Sequence, residues 1–172
     1  VHKYNLSKVD TIAAGGAERY TSVWNGLQVI EEDMTKSDRE GIVFIHDGVR
    51  PFVDDEMIAR TLEAAEIYGA CVAAMPVKET IKLADENDFV NSTPPRNRVW
   101  GIQTPQVFDF HLIYRAYQAA MESGRTDMTD DAMIVESFTN VKVKLVEGSY
   151  ENIKITTPED LKIAEAFLKR RK

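Results

Sequence analysis

Short β-rich runs alternate with amphipathic helical runs along this chain, and that alternation limits it to few architectures. The continuous apolar run 42–46 predicts a strand covered on both faces, and the run 70–75 predicts a second buried strand. Between them, Asp54 or Asp55 is placed to cap a helix that Gly69 ends. This order of elements predicts an α/β fold in which helices flank a sheet.

Further helices are predicted from apolar periodicity and from residues that favour helix ends. Ser22 is placed as the N-cap of one helix, and another spans 110–123, just before Gly124. Thr157 opens a C-terminal helix that has acidic residues first and basic residues last. In the helix after Asp54, apolar residues recur at i, i+4 and i+7, which predicts a buried face formed by Ile58, Leu62 and Ala65.

The polar segment 78–98 does not fit the pattern of the sheet. Two short β-like runs, 80–83 and 89–91, flank the turn-like residues 85–88, as in a hairpin. A hairpin that projects from the body must cover its few apolar side chains, and a second subunit is the usual place. The segment therefore predicts a projecting dimerisation arm.

The composition argues against several classes of partner and site. The formal net charge of the 172 residues is -7, which argues against broad electrostatic binding to nucleic acid or to an anionic membrane. No apolar stretch approaches the roughly 20 residues of a membrane-spanning helix. The single cysteine, Cys71, cannot form an intrachain disulfide, which fits a cytoplasmic protein. The sequence has no zinc-ligand spacing, no P-loop and no dinucleotide-binding glycine motif.

The segment 46–51 holds the most informative group of polar residues. It follows the predicted strand directly, and ligands of open α/β sheets bind beyond the carboxyl ends of strands. Asp47 is placed to hold Mg²⁺ against triphosphate oxygens, and Arg50 is placed to bind a phosphate with two hydrogen bonds. The alternative is that Asp47 caps a turn and that Arg50 pairs with a surface carboxylate.

Two other segments are candidates for binding a nucleotide or a phosphate. Gly15 and Gly16 would let the backbone approach a base or a ribose closely, and Ser22 then opens a helix whose N-terminus favours anions. The segment 129–131 is a predicted helix start, where the Thr129 hydroxyl is placed to bind phosphate. A plain turn and ordinary helix capping are the respective alternatives.

The last two candidates are basic. Arg96 and Arg98 lie close in sequence to Thr104, on a stretch, 103–106, that we predict to be a proline-stiffened loop. An exposed basic turn is the alternative for the arginines. Lys154 lies inside an otherwise apolar, β-like run, where it either protects an edge strand or holds an anion in a cleft.

Six short motifs thus occur in a fixed order along the chain. They are Gly15-Gly16-x-x-Arg19-x-x-Ser22-Val23, His46-Asp47-x-x-Arg50-Pro51, Gln103-Thr104-Pro105-Gln106, Thr129-Asp130-Asp131-Ala132, Glu147-Gly148 and Asn152-Ile153-Lys154-Ile155-Thr156. In this order they resemble the 2-C-methyl-D-erythritol 4-phosphate cytidylyltransferases. The resemblance covers essentially the whole chain, so it is specific although each motif is short.

The resemblance implies a fold, a reaction and an assembly. The fold is a Rossmann-like nucleotidyltransferase sheet with helices on both faces and a projecting β-arm, in a single domain over residues 1–172. The reaction transfers a cytidylyl group from CTP to 2-C-methyl-D-erythritol 4-phosphate with Mg²⁺ and releases pyrophosphate, in the non-mevalonate route to isoprenoid precursors. The assembly is a homodimer whose arms, residues 78–98, cross between subunits.

The resemblance also implies roles for individual residues. The implied CTP-binding residues are Gly15, Gly16, Ala17, Ser22 and Asp47, with Asp47 also as the metal ligand. The implied residues around the acceptor phosphate are Asp47, Arg50, Arg96, Thr104, Thr129 and Lys154. Among these, Arg96 and Lys154 are the implied catalytic pair that positions the attacking phosphate, with Arg96 reaching over from the partner subunit.

One departure from the family pattern limits these expectations. The family opens with a strand and a Gly-rich loop whose basic groups neutralise the triphosphate, and the chain begins after that part of the pattern. Because electrostatic stabilisation is commonly the largest catalytic contribution, we expect little turnover from the chain as it stands. A ribitol 5-phosphate cytidylyltransferase, which shares several motifs, and a non-catalytic nucleotide-binding or dimerisation remnant are the alternatives.

Overall fold

The computed structural model describes residues 2–33 and 41–170, which divide into two compact units. The first unit comprises Val1–Gly41 and Phe110–Asn140, and the second comprises Ile42–Asp109 and Val141–Lys172. Among the helices described, none combines the length and the apolar character that crossing a membrane requires.

The described residues of the two units form six strands and five α-helices. The strands are β1 (Ile42–Ile45), β2 (Ala70–Pro76), β3 (Leu83–Ala84), β4 (Val90–Ser92), β5 (Trp100–Asp109) and β6 (Lys144–Glu147). The helices are α1 (Arg19–Asp33), α2 (Asp55–Tyr68), α3 (Phe110–Ser123), α4 (Asp131–Phe138) and α5 (Pro158–Arg170). Short 3₁₀ helices lie at His2–Tyr4 and Arg96–Arg98.

A four-stranded mixed sheet forms the centre of the second unit. Its spatial order is β1-β5-β2-β6; β5 is antiparallel to β1 and β2, whereas β2 and β6 are parallel. Helix α2 packs against this sheet. Helix α5 belongs to the same unit, and its Phe167 ring meets Phe52 edge-on at 5.5 Å. The predicted α/β class, a sheet flanked by helices, is confirmed.

The prediction of a loop at 103–106 is wrong, because these residues lie within the central strand β5. Proline normally interrupts a strand, since it has no N–H to donate. Here the register between β2 and β5 shifts between Val72 and Ala74, opposite the part of β5 that contains Thr104 and Pro105. A register irregularity is one of the few places where a sheet accepts proline.

Two further strand predictions need correction. All four residues of β1 are half-buried rather than covered on both faces, because β1 lies at an edge of the sheet formed by the described residues. Residues 152–156 are not a strand but an irregular segment. This segment is anchored by the Ile155 amide, which donates to the carbonyl of Val49 at 2.9 Å.

Helix α2 has the predicted ends but a different buried face. Asp54 accepts a hydrogen bond from the Met57 amide at 2.7 Å, and Gly69 ends the helix with φ 74°. The predicted face is wrong for Ile58 and Leu62, which are 40% and 36% exposed, and right for Ala65, which is buried. The buried residues are Met57, Thr61, Ala64 and Ala65. Thr61 tolerates burial because its hydroxyl donates to the Met57 carbonyl at 2.7 Å.

The predicted arm is a hairpin in which β3 and β4 pair antiparallel. Its strands are shorter than the sequence indicates, and the Asp85 carboxylate organises the turn by accepting from the Asn87 and Phe89 amides. Three large apolar side chains of the arm are exposed, namely Leu83 at 52%, Phe89 at 73% and Val90 at 62%. The predicted hairpin is therefore confirmed, and its projection as an arm stays a prediction.

The first unit contains α1, α3 and α4. Helix α3 buries all four apolar residues that its periodicity marks, Phe110, Ile113, Tyr117 and Ala120, and Gly124 follows it with φ 68°. The prediction that Ser22 caps α1 is wrong, because the helix begins three residues earlier, at Arg19. Among the described residues of α1, Leu27 is the one that is fully buried.

The C-terminal helix α5 begins as predicted, with Pro158 as its first residue. Asp160 accepts hydrogen bonds from the Thr156 and Thr157 amides at 2.9 and 2.8 Å, which satisfies backbone donors at the helix start. Lys169 and Arg170 lie in the last turn, and the remaining two basic residues, 171–172, lie outside the described residues.

Candidate functional site

A cluster of three charged side chains lies where the chain leaves β1. The Asp47 carboxylate is 3.1 Å from the Lys154 ammonium and 3.6 Å from Nε of Arg50. The side chains of Asp47 and Arg50 are each only 13% exposed, whereas that of Lys154 is 45% exposed. Residues predicted from two motifs about a hundred positions apart in sequence are thus brought together in the second unit.

Thr104 joins this cluster from β5. Its side chain is nearly buried, and its Oγ1 accepts a hydrogen bond from the Asp47 amide at 3.0 Å and lies 3.1 Å from Nδ1 of His46. The other ring nitrogen, Nε2, is 2.9 Å from the Arg50 carbonyl. Because a carbonyl only accepts, Nε2 of a neutral His46 carries the proton and Nδ1 accepts from the Thr104 hydroxyl.

Asn152 forms hydrogen bonds with several residues of the cluster and its surroundings. Its backbone carbonyl accepts from Nη1 of Arg50 at 2.8 Å, and its side-chain amide donates to the Thr104 carbonyl at 2.8 Å and to the Gln103 side chain at 3.3 Å. Asn152 is fully buried. Sequence reasoning gave roles to neither His46 nor Asn152, although both lie within the quoted motifs.

The charges of the cluster favour a phosphate ligand. The formal charges of Asp47, Arg50 and Lys154 sum to +1, and partial burial strengthens the attraction of such groups for an anion. A cavity of about 380 Å³ lies against Arg50, lined also by Lys78, Gln103 and Tyr150. The arrangement therefore offers basic groups and an adjoining space, which is what binding a small phosphate compound requires.

The donor set bears on how a cation would bind. In residues 2–33 and 41–170, no group of three or more His, Cys, Asp or Glu side chains could hold a metal ion. Asp47 is the one carboxylate of the cluster, and it already faces two cationic side chains. This set fits Mg²⁺ held mainly by phosphate oxygens with a single protein carboxylate, the common arrangement for nucleotide-bound Mg²⁺.

In the first unit, four of the predicted CTP-binding residues lie together at the start of α1: Gly15, Gly16 and Ala17 form the loop before the helix, and Ser22 lies in its first turn. The Gly16 amide donates to Oγ of Ser22 at 2.9 Å, and the Glu18 carbonyl accepts from the Thr21 and Ser22 hydroxyls. A Cβ on Gly16 would lie 2.6 Å from the Thr21 Cβ and 2.9 Å from its carbonyl carbon, so only glycine fits there. Gly15 and Ala17 are exposed neighbours in the same loop.

Thr129, also in the first unit, precedes the N-terminus of α4. Its side chain is exposed, and the next residue, Asp130, caps the helix by accepting from the Met133 amide at 2.9 Å. Asp131 is fully buried and accepts two hydrogen bonds from the Arg19 guanidinium, at 2.9 and 2.7 Å. Sequence reasoning assigned no role to this pair of charges, which lie 112 positions apart.

The hydroxyl of Tyr117 also donates to the Asp131 carboxylate. Burial, above all, raises the pKa of Tyr117 far beyond its ordinary range, and the negative charge of Asp131 adds to the effect. Tyr117 therefore stays protonated and acts as a permanent donor to Asp131.

Arg96 lies at the end of the arm, in the 3₁₀ helix Arg96–Arg98. It is exposed, and its guanidinium donates to the Lys78 carbonyl at 3.4 Å. The resemblance implies that Arg96 acts in the site of a partner subunit, and this role stays a prediction. Of the predicted acceptor-site residues, the second unit thus brings together Asp47, Arg50, Thr104 and Lys154.

Comparison with known proteins gives a consistent family. Residues 2–170 match the family model described as 2-C-methyl-D-erythritol 4-phosphate cytidylyltransferase. A curated relative of that name from Caldanaerobacter subterraneus subsp. tengcongensis is 48% identical over 170 residues, which cover 99% of this chain and 71% of the relative. The relative of that name from Alkaliphilus oremlandii is 45% identical over 100% of this chain and 70% of its own length.

Solved structures agree with the sequence relatives. The 4-diphosphocytidyl-2C-methyl-D-erythritol synthase from Anaerococcus prevotii superimposes with a TM-score of 0.85 at 38% identity, over 98% of this chain and 75% of its own. The 2-C-methyl-D-erythritol 4-phosphate cytidylyltransferase from Thermus thermophilus gives a TM-score of 0.74 at 35% identity, over 90% of this chain and 71% of its own.

Proposed function

The chain belongs to the 2-C-methyl-D-erythritol 4-phosphate cytidylyltransferase family, and on that premise we propose that it transfers a cytidylyl group from CTP to 2-C-methyl-D-erythritol 4-phosphate. Pyrophosphate is the second product, and the reaction serves the non-mevalonate route to isoprenoid precursors. The observation that supports this proposal most is the convergence of Asp47, Arg50, Thr104 and Lys154 on one partly buried cluster.

In the proposed reaction, an oxygen of the acceptor's phosphate attacks the α-phosphorus of CTP. The bond between that oxygen and the α-phosphorus forms as the bond to the pyrophosphate oxygen breaks, so no covalent enzyme intermediate is needed. Catalysis of this kind consists of positioning and of charge neutralisation. Lys154 is the residue best suited to orient the attacking phosphate, because its ammonium is anchored at Asp47 and remains 45% exposed.

The other proposed acceptor contacts have different support. Arg50 offers a guanidinium that is held in place by the Asn152 carbonyl, and Thr104 offers a hydroxyl at the same cluster. Thr129 is proposed because its exposed side chain stands just before a helix N-terminus, where backbone N–H groups favour anions. Arg96 is proposed as the catalytic contribution of a partner subunit, on the family resemblance and on its exposed position at the arm.

For CTP we propose a CTP loop made of Gly15, Gly16 and Ala17 before α1 together with Ser22 in the first turn of the helix. One support is the hydrogen bond between Gly16 and Ser22, which fixes the loop. The other is that Gly15 and Gly16 have no side chains, so a base can approach their backbone closely. Asp47 is the residue that would hold Mg²⁺ beside the triphosphate. When bound, this ion supplies neutralisation of the triphosphate charge.

A homodimer and a cytoplasmic location complete the proposal. The exposed Leu83, Phe89 and Val90 of the arm, residues 78–98, support an interface between two copies of the chain. Sedimentation of a Phe89→Asp variant tests it, since a charge at that position should shift the chain towards monomer. The location stays a prediction based on the free, buried Cys71 thiol.

The decisive assay is pyrophosphate release with CTP and Mg²⁺, with either methylerythritol 4-phosphate or ribitol 5-phosphate as acceptor. It is run on the chain as it stands and on the chain extended at its N-terminus to the length of the relatives. The requirement for a basic N-terminal segment is itself a prediction, which this pair of proteins tests. We expect activity in the extended protein with the first acceptor.

Lys154→Ala should lower that activity by about 100-fold or more, the usual effect of losing a group that stabilises transition-state charge. Lys162→Ala, which removes an exposed lysine of α5, is the matched control and should leave the rate unchanged. Preference for ribitol 5-phosphate would move the protein to that activity. If a folded extended protein released no pyrophosphate with either acceptor, the remaining hypothesis would be a non-catalytic nucleotide-binding or dimerisation remnant.

A further inference from the structure

The Arg19–Asp131 ion pair in the first unit has no part in the function proposed so far. Asp131 is fully buried, and both of its carboxylate oxygens accept from the Arg19 guanidinium, at 2.9 and 2.7 Å. Tyr117 supplies a third donor from α3. One buried carboxylate thus joins the first residue of α1, the first residue of α4 and the middle of α3.

Helix stability does not account for this arrangement. A cation at a helix N-terminus is unfavourable because it faces the positive end of the helix dipole, and the first turn of α1 contains no acidic residue. Only the carboxylate of this pair is fully buried, since the Arg19 side chain is 33% exposed. Taking a charge out of water is costly, so such a pair is a poor source of fold stability, and well-packed apolar residues usually do as well. A planar guanidinium that binds a carboxylate through two parallel hydrogen bonds fixes the orientation of the two groups relative to each other.

The two elements that the pair fixes are the two that the proposed function needs aligned. Arg19 lies between Gly16 and Ser22, whose hydrogen bond closes the proposed CTP loop. Asp131 lies two residues after Thr129, a proposed contact of the acceptor phosphate. Each element has its own local support, because Ser22 anchors the loop and Asp130 caps α4.

We propose that Arg19 and Asp131 are positioning residues, which set the alignment of the CTP loop relative to the Thr129 segment rather than the affinity of either for its ligand. This inference rests on the proposed function. The CTP loop and the Thr129 segment each keep their own hydrogen bonds when the Arg19–Asp131 pair is weakened. Each ligand should therefore still bind, but CTP and the acceptor should no longer be correctly aligned with each other. A small misplacement of reacting groups is enough to slow a positioning-based reaction greatly.

The test compares Arg19→Lys, which keeps the charge but loses the bidentate geometry, with Arg125→Lys. Arg125 forms an exposed ion pair with Asp127 in the same unit, at 2.9 Å, and is the matched control. We expect Arg19→Lys to lower kcat by about 10- to 100-fold. The dissociation constant for CTP, measured by calorimetry, and KM for the acceptor should each change less than about threefold, a split that general loss of structure would not give. Arg125→Lys should match the wild type.

Hydrogen exchange gives a second readout that does not depend on activity. Backbone amides of segments 15–22 and 129–133 should exchange faster together in Arg19→Lys and in the more drastic Asp131→Asn, and neither should change in Arg125→Lys. Any of three results would overturn the inference. They are unchanged hydrogen exchange in both segments, an unchanged kcat, and a loss of CTP affinity that accounts for the whole fall in rate. The rates are measured in the N-terminally extended protein. If that protein were inactive without any substitution, the proposed function alone would be refuted, because the exchange measurement still decides the role of the pair.

Discussion

The substitution Asn152→Ala removes the buried amide beneath the charged cluster. In the native protein that amide donates to the Thr104 carbonyl at 2.8 Å and to the Gln103 side chain at 3.3 Å. Gln103 keeps other partners, since its Oε1 accepts from the Ser149 amide and its Nε2 donates to the Ser149 carbonyl. The Thr104 carbonyl is therefore the group that loses most.

The size of the effect follows from those contacts. A buried carbonyl left without its donor costs about 1–3 kcal/mol of the free energy of unfolding. Oδ1 of Asn152, however, has no hydrogen-bond partner within the described residues, so its removal also relieves an existing cost. We therefore expect a net loss of about 1–2 kcal/mol. With a urea m-value of about 2 kcal/mol/M, the unfolding midpoint should fall by about 0.5–1 M.

The functional effect should exceed what the lost stability explains. A domain of ordinary stability stays folded after such a loss. Arg50 keeps its bond to the backbone carbonyl of residue 152, whereas Thr104 loses the bond from the Asn152 side chain. Displacement of Thr104 should therefore lower kcat/KM by about tenfold in the absence of urea.

Asn140→Ala removes an exposed asparagine and is the control, with an expected change in unfolding free energy within about 0.5 kcal/mol. If Asn152→Ala shifted the midpoint and the rate no more than this control does, the view of Asn152 as the support of the cluster would be refuted.

Three other predictions concern single groups. Gly16→Ala should raise KM for CTP by about fivefold or more, because overpacking costs about 1–3 kcal/mol, whereas Gly26→Ala, with open space around its Cβ, should leave KM unchanged; equal effects would contradict this explanation. Burial raises the pKa of Cys71 to about 12, so the folded protein should not react with a disulfide reagent at pH 8, and one thiol per chain should react in urea. Backbone hydrogen bonds from Thr156 and Thr157 lower the pKa of Asp160, so its stabilisation is fully present above the unfolded-state pKa of about 3.9 and is lost as the pH falls through the lower folded pKa. Asp160→Asn should therefore lower the urea midpoint at pH 7, and its difference from the wild type should shrink below about pH 4; a difference independent of pH would show that the charge is not responsible.

Local sequence predicted the elements whose ends and faces are set locally. Helix α3 buries the residues that its periodicity marks, and Asp54 and Gly69 bound α2 because capping depends on adjacent residues. The face of α2 was predicted correctly for Ala65 but not for Ile58 and Leu62. The true buried face includes Thr61, which is polar in sequence but becomes a core residue because its hydroxyl bonds to the helix backbone. Pattern alone does not show that a polar group will satisfy itself in this way.

Long-range contacts account for most of what sequence reasoning missed. The stretch 103–106 resembles a loop because of Pro105, and only the register shift between β2 and β5 explains how a central strand accommodates it. His46 and Asn152 carry no signal of their own. Their importance comes from hydrogen bonds to Thr104, which lies 58 and 48 positions away, respectively. Sequence position and the family resemblance both gave roles to the residues of the charged cluster, whereas His46 and Asn152 occur in the quoted motifs without a role.

The edge position of β1 has a consequence for work with the chain at high concentration. Its apolar side chains are half-buried, and its outer backbone groups have no strand partner within residues 2–33 and 41–170. Such an edge is a template for pairing between molecules, which leads to self-association without defined stoichiometry. A dimer held by the arm should dissociate in Phe89→Asp, whereas association through β1 should persist in that variant and disappear in Val43→Lys.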